Sequence, residues 1–474
     1  MSAAVAPAPT FGTGAPIVLA RIDRAATRHT RHPRHLHPPL DLKYVQAGLA
    51  ARGIDATFVD GWLAPFQPQD FAARLLAMAP RVVVIKAVSW CLEEAVATAR
   101  LLRAAGVVTL AVGQQVRHAA LEPPAGWAEA FDLCLDGEPE ESLPPLLARL
   151  LAGTAPQELN AGLGEPLLVQ HPDALATPRY SPGELAAYPF PLPWRGGPAR
   201  RWGYVLSAWG CPRPCTHCTA IVRKSVGRPL RPRALAAVVD EVARLADRGA
   251  EAIAFEDDSL FVHRERFLEL ADALVRRGLT LPWLANARPD EIDAQVAAAA
   301  YAAGARLVKL GIDSGTPRLI EAIGKSRDGA GWVAASRMAV PCLDAAGIGS
   351  VALFVVGLPG ETAAEAQASL DLALELPADY LQVQLYRPYP DVALWPVLAA
   401  DRRVAAGEYH YAAPLTQCSA MGDAELAAWP ARFYRRFYLR PGFMARHLRH
   451  AWRAYFGRGL GASLTAARYV LRRA

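Results

Sequence analysis

Three cysteines stand within eight positions at Cys211-Pro-Arg-Pro-Cys215-Thr-His-Cys218, just after the apolar run Tyr204-Val205-Leu206. The chain of 474 residues has only 7 cysteines, so this C-x3-C-x2-C spacing concentrates nearly half of its sulfur donors in one loop. Three thiolates suit three corners of a 4Fe–4S cube and leave its fourth iron without a protein ligand. An open iron is what a cluster needs to bind and reduce a small molecule rather than only carry electrons. A structural zinc site wants four closed ligands. His217 is a possible fourth, but it lies between two of the cysteines, where all four groups could hardly converge on one metal.

Cys91, Cys134, Cys342 and Cys418 are scattered singly. That is no disulfide framework, and it fits a reducing cytoplasm. The length suggests two or three domains, and a hydrophobic share of 52% allows large cores. No uninterrupted apolar run reaches the roughly 18 residues of a spanning helix. Residues 1–14 read as a short disordered tail, lacking the basic and apolar regions of a signal peptide. The net charge of +6 is modest but uneven: Arg21 to His37 is rich in Arg and His, and Pro430 to Ala474 holds eleven Arg and no Asp or Glu. Nearly all cations are Arg rather than Lys, which beside the abundant Ala, Pro and Gly reads as compositional preference. Nothing in it demands nucleic acid.

Along residues 15–151, strands at Pro16–Ala20, Ala56–Asp60, Val82–Ile85, Val107–Val112 and near Leu133 alternate with helices. Such alternation predicts an open parallel sheet, which binds ligands at the carboxyl ends of its strands. His118 reads as a solvated loop residue, and His29, His32, His35 and His37 as an exposed loop or substrate lip rather than a metal patch. Residues 152–198 are a Pro-rich linker, with Tyr188 to Trp194 extended across the domain joint. Alternation resumes over 199–399. Strands end in Glu256-Asp257-Asp258, before Arg288, in Asp313-Ser314, in Gly357-Leu-Pro-Gly360-Glu-Thr362, and at Leu385 before Tyr386-Arg-Pro-Tyr-Pro390. Residues 400–474 have helical spacing and aromatic-Arg pairs, and read as a helical cap with solvated Arg. No second cysteine group is present there for an auxiliary cluster.

The cysteine loop resembles that of radical S-adenosylmethionine (radical SAM) enzymes, although the residue before their third cysteine is usually aromatic and here is His217, a flat ring that could still lie against adenine. Residues 15–151 are similar to the cobalamin-binding domain that precedes many radical SAM domains. That likeness rests on His37-Pro-Pro-Leu40 with its helix, on Gly53 and the strand to Asp60, and on Asp136-Gly-Glu-Pro-Glu140. The Asp-x-His-x-x-Gly motif that supplies a histidine to cobalt is absent, and Gly113-Gln114-Gln115 stands where a Gly-Gly pair is common. The resemblance therefore implies an α/β fold in three parts: an N-terminal Rossmann-like open parallel sheet of cobalamin-binding type, a partial (βα)6 TIM-type barrel, and a C-terminal helical extension. It implies a 4Fe–4S cluster on Cys211, Cys215 and Cys218, S-adenosyl-L-methionine (SAM), and cobalamin without an axial His.

SAM is a zwitterion with a sulfonium, and its binding needs an acceptor for the amino group, a partner for the carboxylate, polar contacts to ribose and a flat surface for adenine. By resemblance, Asp257 and Asp258 help hold the amino group. Arg288 is a candidate for the carboxylate, since guanidinium forks onto carboxylates. Asp313 and Ser314 reach ribose or methionine, and Gly357 and Gly360 let backbone approach adenine. The plainer roles are helix capping for the Asp pair, a surface ion pair for Arg288 and a tight turn for the glycines. The implied reaction is reductive cleavage of SAM to a 5′-deoxyadenosyl radical, with cobalamin-dependent methylation of an unactivated carbon. Ring closure, oxidation or rearrangement without methyl transfer is the alternative, and an iron–sulfur or zinc redox regulator a third reading. Expected partners are a small-molecule or peptide substrate and a one-electron reductant such as flavodoxin or ferredoxin.

Overall fold

The computed structural model describes residues 17–22, 37–63, 67–87, 91–113, 116–117, 119, 123, 125–159, 167–190, 194–197, 199–218, 229–387, 392–393 and 418–443. The expectations at 1–14, His29, His32, His35, Gln114-Gln115, His118, residues 388–390 and 444–474 lie outside them.

In the N-terminal part, β1 (Ile17–Ile22), α1 (Leu40–Ala50), β2 (Ala56–Asp60), α2 (Pro68–Leu76), β3 (Val82–Ala87), α3 (Leu92–Ala104), β4 (Val108–Val112), β5 (Leu133–Leu135) and α4 (Leu143–Leu151) follow in order. The strands pair in parallel as β2-β1-β3-β4-β5. Every residue of β1, β3 and β4 is buried, as expected of a sheet covered on both faces. Alternate residues take opposite sides. Ile17, Leu19, Val82 and Val84 share one apolar cluster with Leu42, Val45 and Leu49 of α1 and Leu143 and Leu147 of α4. Val18, Ala20, Val83 and Ile85 share another with Phe71 of α2 and Ala95 and Ala99 of α3. This second cluster runs on into the following domain, through Ile323, Trp332, Leu358 and Tyr386.

The linker is more ordered than its prolines predict. Pro182 opens α5 (Pro182–Ala187), because proline suits the first helical position. Ser181 and Glu184 close a capping box there, with Glu184 N–H donating to Ser181 Oγ at 3.2 Å and Ser181 N–H to Glu184 Oε2 at 2.8 Å. The expected aromatic packing across the joint is present. Trp194 lies 4.8 Å from Trp202, and Tyr188 stands edge-on to Tyr204 at 6.4 Å.

The second part contains β6 (Trp202–Val205), the short pair β7 (Ala208–Trp209) and β8 (Arg231–Pro232), then α6 (Leu235–Asp247), β9 (Ala252–Phe255), α7 (Arg264–Arg276), β10 (Trp283–Ala287), α8 (Ala294–Ala302), β11 (Ala305–Asp313), α9 (Pro317–Ala322), α10 (Gly329–Ala345), β12 (Gly349–Val356), α11 (Ala363–Glu375) and β13 (Tyr380–Leu385). Six strands pair in parallel in the order β13-β12-β11-β10-β9-β6, while β7 and β8 form a separate antiparallel pair. This is an open barrel. Helix α12 (Asp423–Tyr438) covers the exposed edge at β13. Its Tyr434 and Tyr438 hydroxyls accept the outward N–H groups of Val383 at 2.9 Å and Leu381 at 3.1 Å. Phe433 and Phe437 are fully buried, and Arg435 and Arg436 face solvent. The start of the Arg-rich region is thus the packed cap that its aromatic spacing predicts.

Candidate functional site

The cysteine loop begins at the neck formed by β7 and β8, with Trp209 opposite Arg231. Cys211 and Cys215 are half-buried, and Cys218 is the most exposed residue of the three. The loop is fastened below by the turn after α9: Thr216 N–H donates to Ile323 O at 2.9 Å, and a Cβ on Gly324 would stand 3.2 Å from Pro214 O. Burial raises the Cys211 and Cys218 thiols, and Asp258 adds to the rise at both. Cys215 adds to the rise at both, and Cys211 to that at Cys218. A metal group binding here therefore displaces protons. Among the described residues, no three His, Cys, Asp or Glu side chains converge as around a single metal ion.

Beneath the loop lies a charged network. Asp313, at the carboxyl end of β11, is buried and has φ of 66°, a rare conformation for a residue with a side chain. A register shift between Gly311 and Asp313 produces it. Lys325 Nζ pairs with its Oδ2 at 2.7 Å and His217 Nε2 approaches to 3.4 Å. Burial opposes the charge on Asp313, but Lys325 and His217 overcome it and hold the carboxyl well below the usual range. Lys325 likewise resists desolvation through Asp313 and Cys215, and its ammonium stays charged. His217 Nδ1 and Thr216 Oγ1 are buried without a hydrogen-bond partner among the described residues.

Arg288, just beyond β10, lies 4.6 Å over the Trp332 ring and forks onto Asp290 at 2.9 and 2.8 Å. Its Nη1 is buried and unpartnered among the described residues. Glu291 accepts from Arg288 N–H at 3.1 Å and from Arg213 of the cysteine loop at 3.4 Å. The Asp pair divides. Asp257 is buried and accepts from the Ser207 hydroxyl at 2.7 Å and its N–H at 3.1 Å, holding the crossing from β6 to β7. Asp258 is exposed and is the member that bears on the thiols. Ser314 is fully buried, its hydroxyl 3.1 Å from Ser369 and accepting from Thr316 N–H at 3.2 Å.

Gly357 and Gly360 have φ of 91° and 69°, which favour glycine, and a Cβ on Gly357 would come within 2.9 Å of Leu426. Glu361 folds back to accept from Gly357 N–H at 2.5 Å and Leu358 N–H at 3.0 Å. It is fully buried, and burial pushes its carboxyl up to about 7. An acid raised on folding keeps a proton that the unfolded chain releases, so stability falls as pH climbs from about 4.5 toward 7. Glu361→Gln keeps the acceptor and cannot ionise. In the apoprotein, wild type is expected to lose on the order of 2–3 kcal/mol more than this variant between pH 5 and pH 8. Parallel denaturant-unfolding profiles at the two pH values would contradict that.

Lys325, Glu291, Trp332 and Glu361 were not among the predicted site residues. Lysine scarcity was the available signal for Lys325, since the chain has only Lys43, Lys86, Lys224, Lys309 and Lys325. Glu361 and Trp332 carried none.

Residues 207–373 match the family profile described as Radical SAM superfamily. That span is a radical SAM domain. The matched span of the radical SAM domain starts at Ser207 and takes in the cysteine loop, Asp257, Arg288, Asp313, Lys325 and Gly357. Over 424 residues the chain is 26% identical to an uncharacterized methyltransferase of Pyrococcus horikoshii, covering 85% of this chain and 88% of the relative. Over 426 residues it is 25% identical to the anaerobic magnesium-protoporphyrin IX monomethyl ester cyclase of Rubrivivax gelatinosus, covering 86% and 75%. In fold it is similar to the radical S-adenosylmethionine methyltransferase TsrM from Kitasatospora setae, solved with cobalamin and a 4Fe–4S cluster bound. The TM-score is 0.62 at 19% identity, over 82% of this chain and 75% of that one. The cobalamin-dependent S-adenosylmethionine radical enzyme OxsB matches with a TM-score of 0.60 at 16% identity, over 86% of this chain and 58% of that one. The α/β organisation, with a parallel sheet preceding a radical SAM domain, is thus shared with both. Among the described residues no helix is long and apolar enough to cross a membrane.

Proposed function

We propose that this radical SAM enzyme methylates an unactivated carbon with the help of cobalamin. One observation carries the reading: the carboxyl edges of the two sheets face each other. Ile22 and Ala87, which end β1 and β3, share an apolar cluster with Ile323, Leu358 and Tyr386 from the carboxyl-end loops of the barrel. A cofactor on the first edge would look into the mouth that holds the cysteine loop. That edge is polar and firmly built. Arg21 pairs with Asp60 at 2.5 Å, Lys86 pairs with Asp41, and Gly113 ends β4 with φ of 92°. A left-handed glycine at a strand end allows the close approach that a large flat cofactor requires.

Cys211, Cys215 and Cys218 would hold the cluster. When bound, that group supplies the electron that cleaves SAM to methionine and a 5′-deoxyadenosyl radical. The protein's part is placement. Asp258 takes the SAM amino group, with Asp257 fixing the strand crossing behind it. The free Nη1 of Arg288 takes the carboxylate, while its other nitrogens stay anchored on Asp290. Asp313 reaches ribose or methionine from a backbone that Ser314 pins to α11. Gly357 and Gly360 leave room for adenine. No described side chain is placed as a general base, and the first step requires none. The substrate is a small molecule or peptide, the electron comes from a flavodoxin or ferredoxin, and the compartment is the cytoplasm.

Two relatives named as cyclases support the second reading, radical ring closure or oxidation without methyl transfer. Anaerobic reconstitution with iron and sulfide, followed by addition of cobalamin, SAM and a reductant, separates the readings. The expected result is a corrin absorption that co-elutes with the protein, and release of both 5′-deoxyadenosine and S-adenosylhomocysteine. 5′-Deoxyadenosine alone with no corrin retained would favour the second reading. A protein that holds zinc and forms neither nucleoside would refute both.

A further inference from the structure

The turn after β5 reaches across the domain boundary. Gly137 has φ of 98°, and a Cβ there would strike Leu167 O at 2.2 Å, so only glycine can make this turn. It sends Glu138 and Glu140, each 2% exposed, onto the neck of the cysteine loop. That neck is the pair of residues Trp209 and Arg231, opposite each other on β7 and β8, and the cysteine loop starts directly after Trp209. Each strand of the neck is held by one glutamate. Trp209 Nε1–H donates to Glu140 Oε1 at 2.9 Å. Arg231 forks onto Glu138 at 2.7 and 2.8 Å, and also donates to Val169 O at 2.5 Å. Val169 N–H in turn donates to Glu138 at 2.8 Å, and Tyr44 stands edge-on to Trp209 at 5.2 Å.

Two strands of two residues make a weak closure by themselves. A loop of this length gains entropy whenever its neck opens. The fork of Arg231 on Glu138 is the strong, charge-assisted contact here, and the Trp209 bond to Glu140 holds the opposite strand. We infer that Glu138 and Glu140 are positioning residues that clamp the neck of the cysteine loop from the neighbouring domain and fix the loop's register against the first sheet's carboxyl edge. Their described contacts are with the neck and with Val169. This rests on reading Cys211, Cys215 and Cys218 as cluster ligands, and the clamp can be measured without the cluster.

The test compares Glu140→Leu, Glu140→Gln and Trp209→Phe with wild type in the full-length protein. In the apoprotein, hydrogen exchange of peptides spanning 208–218 is expected to speed up at least five-fold in Glu140→Leu and Trp209→Phe, with peptides from β9 to β11 unchanged. Glu140→Gln, whose amide oxygen still accepts from the indole, stays within two-fold of wild type. In the reconstituted protein, iron is lost to a chelator about ten times faster in the two disruptive variants than in Glu140→Gln. Should Glu140→Leu fail to fold, Trp209→Phe, which removes the donor with part of the ring but keeps an aromatic side chain, carries the same comparison. Unchanged exchange at 208–218, or an equal rise across the whole barrel, would overturn the clamp. A wild type that takes up no cluster, with 208–218 still loosened selectively in the variants, would support the clamp and remove the cluster assignment instead.

Discussion

Replacing Cys211, Cys215 or Cys218 singly by Ala will abolish cluster loading, and with it all formation of 5′-deoxyadenosine and S-adenosylhomocysteine. The effect is all-or-none because two thiolates leave a second iron exposed, and a cube with two open corners is lost to solvent ligands. Folding should survive, since the thiols make no contact on which the barrel core depends: Cys211 and Cys215 are only half-buried, and Cys218 is the most exposed residue of the three. Iron and sulfide analysis after anaerobic reconstitution, beside nucleoside chromatography, checks both halves. Cys91→Ala or Cys342→Ala serves as control, since those thiols are outside the loop. A single loop variant that retains full iron and forms 5′-deoxyadenosine would remove the proposed chemistry.

Lys325→Met will destabilise the apoprotein by about 3 kcal/mol, the cost of leaving a buried carboxylate without its main partner. Asp313 is 6% exposed and keeps only His217 once the ammonium is gone. Adding Asp313→Asn should return most of the loss, because the uncompensated charge disappears with its partner. The pH dependence has a definite sign. A carboxyl held below its usual range stabilises the fold above the unfolded value near 4 and loses that contribution as pH falls. The gap between wild type and Lys325→Met is therefore widest at neutral pH and narrows below about pH 4. Denaturant unfolding at pH 7 and at about pH 3 decides it. A variant within about 0.5 kcal/mol of wild type at pH 7 would show that the pair is solvated rather than buried.

The parts of this fold that were legible in the sequence are those governed by periodicity. Every strand of both sheets was visible as a short apolar run between helices, because parallel strands covered on both faces need uninterrupted Val, Ile, Leu and Ala. The cysteine spacing and the strand-end polar residues were visible for the same local reason. What was hidden depends on partners distant in sequence. Asp257 and Asp258 are adjacent and chemically identical, yet one is spent on Ser207 and the other borders the thiols, and only the strand crossing decides which. Ser314 read as a ligand contact, but its hydroxyl meets Ser369, which lies 55 residues on. Lysine was the missed clue. In a chain that uses Arg almost everywhere, Lys43, Lys86 and Lys325 each form an ion pair with a carboxylate, and Lys309 lies beside Glu256. A compact ammonium fits a confined site where a planar guanidinium would not.

The hydroxyls of the two tyrosines of α12 grip β13 by its main chain. Contacts of that kind are indifferent to which side chains the strand carries. Gln382 and Gln384 can therefore be exchanged for other residues without unfastening the helix that seals the flank. Variation at these two positions of the last strand thus leaves the architecture whole.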